Sequence, residues 1–566
     1  MNLSEMISSV YDRLESEPLN PVWIALVPRE AALARVRAVE NRADLPLGGM
    51  TFAVKDNIDV AGMPTTAGCP AYAYNPSSSA TVVTRLQDAG AILMGKTNMD
   101  QFATGLVGTR SPFGACSSVF DERYISGGSS SGSAVAVAKG LVTFALGTDT
   151  AGSGRVPAAF NNLIGLKPTR GLLSTSGVVP ACRTLDCVSI LARTAREAHA
   201  VWRAARGFDP GDPFSRTSGL GEDAAPWLNG PFRFGVPSRE QLEFFGDTQA
   251  EALYGEALRK VQQLGGEQVE IDLSVFRRAA DLLYAGPWVA ERLAAIRTFL
   301  QDHAEEMNPV VRGIIAGGER YSAVDTFEAE YRLQDLRSAA AEQWSAMDVL
   351  LLPTTGTIYT HKQIAADPVK MNTNLGFYTN FVNLLDLAAV AAPAGFRTSG
   401  LPFGISFIGP AFSDEALTAL ADRYLGATTP LLKTEPGCVD VAVVGAHLSG
   451  QPLNWQLTNR GARLKRTCRT ASGYRLYALE GVNPAKPGLV REEKFAGPGI
   501  EVEVWAMPID QFGSFVADVP PPLGIGNATL DNGESVKCFL CEPCAISGAV
   551  EITGFRSWRA YLASKM

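Results

Sequence analysis

Two clusters of glycine and serine, "ISGGSSSGSA" at 125–134 and "GTDTAGSGRV" at 147–156, sit inside apolar sequence. Gly/Ser tracts are usually flexible connectors. Here the first runs directly into "AVAVAKGLVTFAL" and the second into "PAAFNNLIGL". Small-residue backbone must therefore enter the interior, where each N–H and carbonyl needs a partner. The flanking text supplies regular elements for that. "TFAV" (51–54), "AILMG" (91–95) and "VTFALGTDT" (142–150) read as strands, and "SAVAVAKGL" (133–141) reads as a helix whose small residues allow close packing. Residues 319–346 predict a long helix, followed by a strand in "MDVLLLPTTG". Apolar strands alternating with helices predict an α/β architecture, a mixed or parallel sheet covered by helices.

At 566 residues the chain is too long for one ordinary core. Thr, Pro and Gly cluster around 425–438, and beyond them short alternating strands ("VDVAVVGAHLSG", "GYRLYALEG", "GIEVEVWAMP", "ESVKCFLCEP") are separated by turns. The expected domains are 1–432 and 438–566, the second a β-rich α+β domain. A net charge of -8 argues against nucleic acid or an anionic membrane surface as the main partner. No apolar run approaches the roughly 18 residues that span a bilayer. The start, "MNLSEMISSVYDRLESE", is amphipathic and acidic, unlike a secretory signal. Nine scattered cysteines, an odd count, predict reduced thiols and a cytoplasmic protein.

Three short patterns match well-known motifs and are set aside on physical grounds. "GAILMGKT" (90–97) has phosphate-loop spacing, but its Ala, Ile, Leu and Met require burial in a strand rather than an open loop. "GSSSG" (128–132) would make Ser130 an elbow nucleophile, yet no strong strand enters it and no downstream Asp–His pair stands out. "CFLCEPC" (538–544) has a metal-like spacing without a fourth ligand, so buried thiols are expected.

"FAVKDNIDV" (52–60), "GGSSSGSA" (127–134) and "GTDTAGSGRVPAAFNNLIGLKPTRG" (147–171) together resemble the amidase signature family, hydrolases that cut amides with a Ser–Ser–Lys triad. The resemblance covers about 50–190 and implies the amidase-signature α/β fold. It makes Ser153 the nucleophile, Ser129 (after a cis peptide bond) the bridging serine and Lys55 the base. It also assigns the oxyanion hole to Thr150, Ala151 and Gly152, and structural roles to Asp149 and Arg155. Chemistry supports the same reading. A serine hydroxyl needs a base, and the four histidines (His199, His303, His361, His447) lie in unremarkable sequence. A neutral lysine can serve if burial lowers its pKa from about 10.4; a three-unit drop is about 4 kcal/mol, within reach of desolvation. Without the serines, Lys55 reads as a surface lysine at a strand end.

"TNMDQFATGLVGTRSPFG" (97–114) and the region after 438 are similar to the allophanate hydrolase branch of that family. That resemblance implies substrate contacts from Tyr284 and Arg292, eight residues apart on what reads as one helix. An Arg fork suits a small anionic amide, although the helix pattern alone leaves Arg292 as a solvated partner of Glu291 or Asp281. The second domain would assist decarboxylation, with His447 as candidate and a satisfied structural histidine as the alternative. No metal or organic cofactor is implied. The resemblance points to urea carboxylase as a pathway partner. Only "VKM" (369–371) stands where a biotin acceptor would need "MKM", so the chain reads as a hydrolase apart from its carboxylase. A homo-oligomer is compatible with the sequence. Rival readings are another small-amide amidase, the amidase-like component of a glutamyl-tRNA amidotransferase, or a nucleotide-dependent ligase.

Overall fold

In this computed structural model, residues 3–16, 20–40, 42, 44–217, 231–427, 438–479, 481, 484–492 and 494–565 are described. Most of the predicted boundary segment, 428–437, lies outside them. The chain divides into two compact units, Met1–Ser218 with Asp223–Leu431, and Gly219–Glu222 with Leu432–Met566.

The first unit is built on eleven strands: β1 (Trp23–Leu26), β2 (Thr51–Lys55), β3 (Ile92–Thr97), β4 (Phe144–Asp149), β5 (Ile164–Lys167), β6 (Cys187–Ala192), β7 (Phe232–Pro237), β8 (Gly266–Ile271), β9 (Val349–Pro353), β10 (Leu387–Phe396) and β11 (Pro402–Pro410). They form one sheet in the order β1-β3-β2-β4-β6-β5-β10-β11-β9-β7-β8. The β2–β3, β2–β4, β7–β8 and β7–β9 pairs are parallel and the others antiparallel, so the sheet is mixed. Every residue of β2, β3 and β4 is buried. That is why these strands read as continuous apolar runs rather than alternating ones.

The helix Ser131–Ala138 follows the first Gly/Ser cluster, and all but its last residue are buried. Gly132 permits that depth: a Cβ there would stand 2.5 Å from the Val22 carbonyl oxygen. The long helix expected at 319–346 occupies Ala323–Trp344 and starts at Ser322, whose side chain accepts from the Asp325 N–H while the Asp325 carboxylate accepts from the Ser322 N–H. Its expected first turn is instead a short 3-10 segment, Gly317–Arg320.

One expectation is corrected. Tyr284 and Arg292 do not share a helix. Ser274–Ala285 ends before Gly286-Pro287, and a new helix runs Trp288–His303. Pro287 has no N–H to continue the ladder and pushes its predecessor out of helical geometry, and Gly286 is extended with φ -122 and ψ -176.

The second unit holds a five-stranded sheet ordered Arg463–Arg469, Glu501–Pro508, Cys438–Val443, Ser535–Cys541, Leu523–Thr529. A three-stranded sheet is ordered Pro487–Arg491, Tyr474–Ala478, Val550–Glu551. The first set packs around Val441, Val443, Val502, Val504 and Phe515. Cys538 and Cys541 are buried on strand Ser535–Cys541, while Cys544 beyond it is exposed. Among the described residues no helix is long and apolar enough to cross a membrane.

Candidate active site

Lys55 is the last residue of β2, fully buried, with its neighbours β3 and β4 on either side. Its Nζ donates to Ser129 Oγ at 2.8 Å and to Thr148 Oγ1 at 2.7 Å. Burial pulls its pKa down to about 7, against the opposing pull of Asp100, Asp149 and Asp186. Ser129 follows a cis peptide bond from Gly128 and is also fully buried. The surface-lysine alternative therefore fails. So do two of the motif matches: Lys96 of "GAILMGKT" is buried in β3, where it donates to Thr65 Oγ1 at 2.8 Å and faces Asp56 at 3.4 Å. Ser130 donates to the Thr148 carbonyl at 3.2 Å, with no histidine beside it.

Ser153 lies on the turn after β4. Its backbone carbonyl accepts from the Ser130 N–H at 3.2 Å, which stitches the two Gly/Ser clusters together. Its hydroxyl donates at 3.4 Å to the carbonyl of Gly105, not to Ser129. The turn is organised by Asp149, whose carboxylate accepts from the N–H groups of Gly152 (2.8 Å), Gly154 (3.1 Å) and Arg155 (3.2 Å). The same carboxylate takes a bidentate pair from the Arg155 guanidinium, both bonds 2.9 Å and both residues buried. Burial opposes the charge on Asp149, but Arg155 outweighs it and holds the carboxyl below its ordinary pKa.

This geometry narrows the sequence-derived oxyanion donors. The Gly152 N–H is already committed to Asp149, whereas those of Thr150, Ala151 and Ser153 have no acceptor among the described residues. Gly152 still has to be glycine: its φ is 125°, and a Cβ would meet Thr379 Oγ1 at 2.4 Å. Thr150 Oγ1 donates to Asp186 at 2.5 Å, and Thr379 Oγ1 to the Ala151 carbonyl at 2.6 Å, so both sides of the turn are tethered.

Arg292 is 2% exposed, not the solvated residue its helix pattern allows. Its Nη1 donates to Thr104 Oγ1 at 3.1 Å and to the Ala103 carbonyl at 3.5 Å, and its Nη2 reaches Tyr284 Oη at 3.4 Å. Its Nε has no partner among the described residues. Glu291 is engaged by Thr184 and Asp281 by Arg277. The helix break brings Tyr284 and Arg292 together, and segment 103–105 links them to Ser153, because Gly105 accepts from Ser153. Sequence reasoning quoted this segment within 97–114 but gave it no role in the site, and it missed Thr148 and Asp186. Thr148 was findable, since it lies one residue before Asp149 in the second Gly/Ser cluster. His447 lies in the second unit, where Nε2 bonds Gln456 Oε1 at 2.8 Å and the ring stacks on Phe539.

The Amidase family matches residues 5–418. The chain belongs to the amidase family. Residues 439–563 of this amidase match the family described as Allophanate hydrolase C-terminal domain. It is similar to urea amidolyase of Saccharomyces cerevisiae, 43% identical over 595 residues, with 98% of this chain and 32% of that protein covered. The amidase thus spans about a third of the length of that curated relative. It is also similar to urea amidolyase of Lachancea kluyveri, 43% identical over 581 residues, covering 97% of this chain and 32% of that protein. A glutamyl-tRNA(Gln) amidotransferase chain of Heliobacterium modesticaldum is 31% identical, covering 76% of this chain and 94% of that protein. Among solved structures, selenomethionine-substituted allophanate hydrolase of Kluyveromyces lactis superposes with a TM-score of 0.77 at 41% identity, covering 100% of this chain and 97% of that one. The amidase-signature α/β fold expected from sequence is borne out.

Proposed function

We propose that the protein hydrolyses allophanate (urea-1-carboxylate), releasing ammonia through an acyl-enzyme on Ser153. The observation that carries this reading is the buried Lys55 amine bonded to Ser129 beside the Ser153 turn. An amine with a pKa near 7 is about half neutral at pH 7 and can then accept a proton. The Ser153 hydroxyl rotates from the Gly105 carbonyl toward Ser129 and attacks the terminal amide carbon as it gives its proton to Ser129, which passes its own proton to the neutral Lys55 amine. The developing oxyanion takes the N–H groups of Thr150, Ala151 and Ser153. The proton returns to the leaving ammonia, and water then hydrolyses the acyl-enzyme. Arg292 and Tyr284 hold the substrate carboxylate.

The likeness to the Kluyveromyces lactis allophanate hydrolase along the whole chain, and the match of 439–563, favour allophanate over the glutamine used by an amidotransferase, whose matching chain aligns over 76% of this one. Because allophanate is carboxylated urea, a urea carboxylase is the proposed pathway partner, in line with the urea amidolyase relatives. The test is ammonia release from allophanate, malonamide, glutamine and oleamide. Allophanate should be preferred, and Ser153→Ala should lower kcat on the order of 10³-fold or more. Preference for a neutral or long-chain amide overturns the substrate assignment.

The immediate product, N-carboxycarbamate, would lose carbon dioxide with help from the second unit. His447 is the residue proposed to assist, since burial keeps its pKa below the ordinary value and the ring neutral. His447→Ala is expected to leave the first ammonia release unchanged while the carboxylated intermediate accumulates, followed by ¹³C NMR. An unchanged time course for both removes His447 from the reaction.

A further inference from the structure

We infer that the cavity in front of Tyr284 is an anion-selecting vestibule, in which Arg320 at the rim and Arg110 in the wall draw carboxylated amides toward Ser153. This rests on the proposed amidase reading and specifies how that site chooses charge. The cavity holds about 330 Å³ and is lined by Arg110, Tyr284, Val289, Ile314, Arg320 and Asn372 among others, two guanidiniums and no carboxylate.

Neither guanidinium donates to a carboxylate among the described residues, although Asp100 pulls on Arg110 electrostatically. Arg110 is 3% exposed, and its guanidinium donates only to main-chain carbonyls, Thr104 at 3.0 Å and Pro368 at 2.7 Å, with Nε unpartnered among the described residues. Asp100 accepts from the Arg110 backbone N–H at 2.9 Å rather than from its side chain. Arg320 is exposed and, among the described residues, meets only the Tyr321 hydroxyl, at 2.8 Å, and the Tyr321 ring. A buried guanidinium that makes no direct ion pair, such as that of Arg110, is costly unless it serves a ligand. Arg110 in the wall and Arg320 at the exposed rim line a cavity that no carboxylate lines, and such a lining raises the local concentration of anions.

The vestibule wall is tied to the segment that holds the reacting serine. Its wall residue Asn372 accepts from the Leu106 N–H at 2.7 Å, and Arg110 holds the Thr104 carbonyl, so both brace the segment whose Gly105 carbonyl accepts from Ser153. Arg110 therefore has a structural as well as an electrostatic part, whereas Arg320, on the exposed rim, has only the latter. This makes Arg320 the residue to vary.

The experiment measures kcat and KM on allophanate and on uncharged malonamide, at low and raised ionic strength, for the parent, Arg320→Gln, Arg320→Glu and Arg320→Lys. Expected at low salt is a fall in allophanate kcat/KM of about threefold to tenfold for Gln, and more for Glu, within the range of electrostatic steering. The effect should lie in KM, shrink with added salt, and be restored by Lys. Malonamide kcat/KM should not respond. Equal losses on both amides, or an Arg320→Glu protein indistinguishable from the parent on allophanate, overturn the inference alone. A parent that does not prefer allophanate to malonamide overturns the substrate reading and the vestibule with it.

Discussion

Lys55→Met should reduce kcat on allophanate by on the order of 10³-fold or more, the upper part of what a positioned general base contributes, and should do so in a protein that is more stable than the parent at neutral pH. Both halves follow from one fact: the amine is fully buried, and burial holds its pKa near 7. As a base it works only when neutral, so parent kcat/KM should climb with pH through about 7 and level off above. The methionine variant should lose that limb, not merely its height. The stability sign is the reverse of an ordinary salt bridge. In the unfolded chain the lysine pKa is about 10.4, so between about 7 and 10 the unfolded state holds a proton that the folded state lacks, and stability rises with pH across that window. The contribution is smallest at and below pH 7, where the folded state bears the whole cost of desolvating or deprotonating the amine. Methionine removes the ionisable group while retaining its length, so the variant's gain in denaturant midpoint should be largest near pH 6 and vanish toward about pH 10. A variant that keeps the pH-rate limb, or whose stability gain does not vary with pH, refutes the assignment of Lys55 as base.

How much of this could be read without coordinates differs by kind of residue. Lys55, Ser129 and Ser153 were singled out by the resemblance that three motifs carry together, and the four-residue apolar run before Lys55 signalled its burial; the structure bonds Lys55 to Ser129, while Ser153 bonds Gly105. The sheet's central strands were legible from such apolar runs. The resemblance singled out Tyr284 and Arg292, but their geometry was misread: eight-residue spacing suggested one helix, and the Gly286-Pro287 break was passed over although proline's missing N–H signals it. Segment 103–105 was not legible. Phe102 and Ala103 have φ of 48° and 51°, a left-handed conformation that side-chain identity gives no hint of, and the segment is fixed by the Ala103 N–H donating to the Asp100 carbonyl and by Arg110 and Arg292 donating to the Thr104 carbonyl and hydroxyl, contacts that carry no label in the quoted 97–114 motif. The commitment of the Gly152 N–H to Asp149 was hidden likewise, because a backbone donor carries no sequence label.

Arg155→Met should cost about 3–5 kcal/mol of stability, the usual penalty for removing one partner of a buried ion pair, and should also lower kcat while changing KM little. The pair is fully buried and bidentate. Losing the guanidinium leaves the Asp149 carboxylate with the three N–H groups of the turn and the weaker pull of the buried Lys167. Burial then dominates and drives that carboxyl's pKa above the unfolded value of about 3.9. A raised folded-state pKa means stability present at low pH and lost as pH rises through it. The deficit of Arg155→Met relative to the parent should accordingly be modest near about pH 4 and widen toward pH 7, measured by guanidinium midpoint at each pH. Asp149→Asn combined with Arg155→Met removes the charge and should recover part of the stability at neutral pH. It should not recover turnover, because the asparagine amide replaces one of the two oxygens that accept from Gly152, Gly154 and Arg155 and so no longer fixes the turn presenting Ser153. A pH-independent deficit would mean that Arg155 acts by packing alone; full recovery of kcat in the double variant would separate the ion pair from the placement of Ser153.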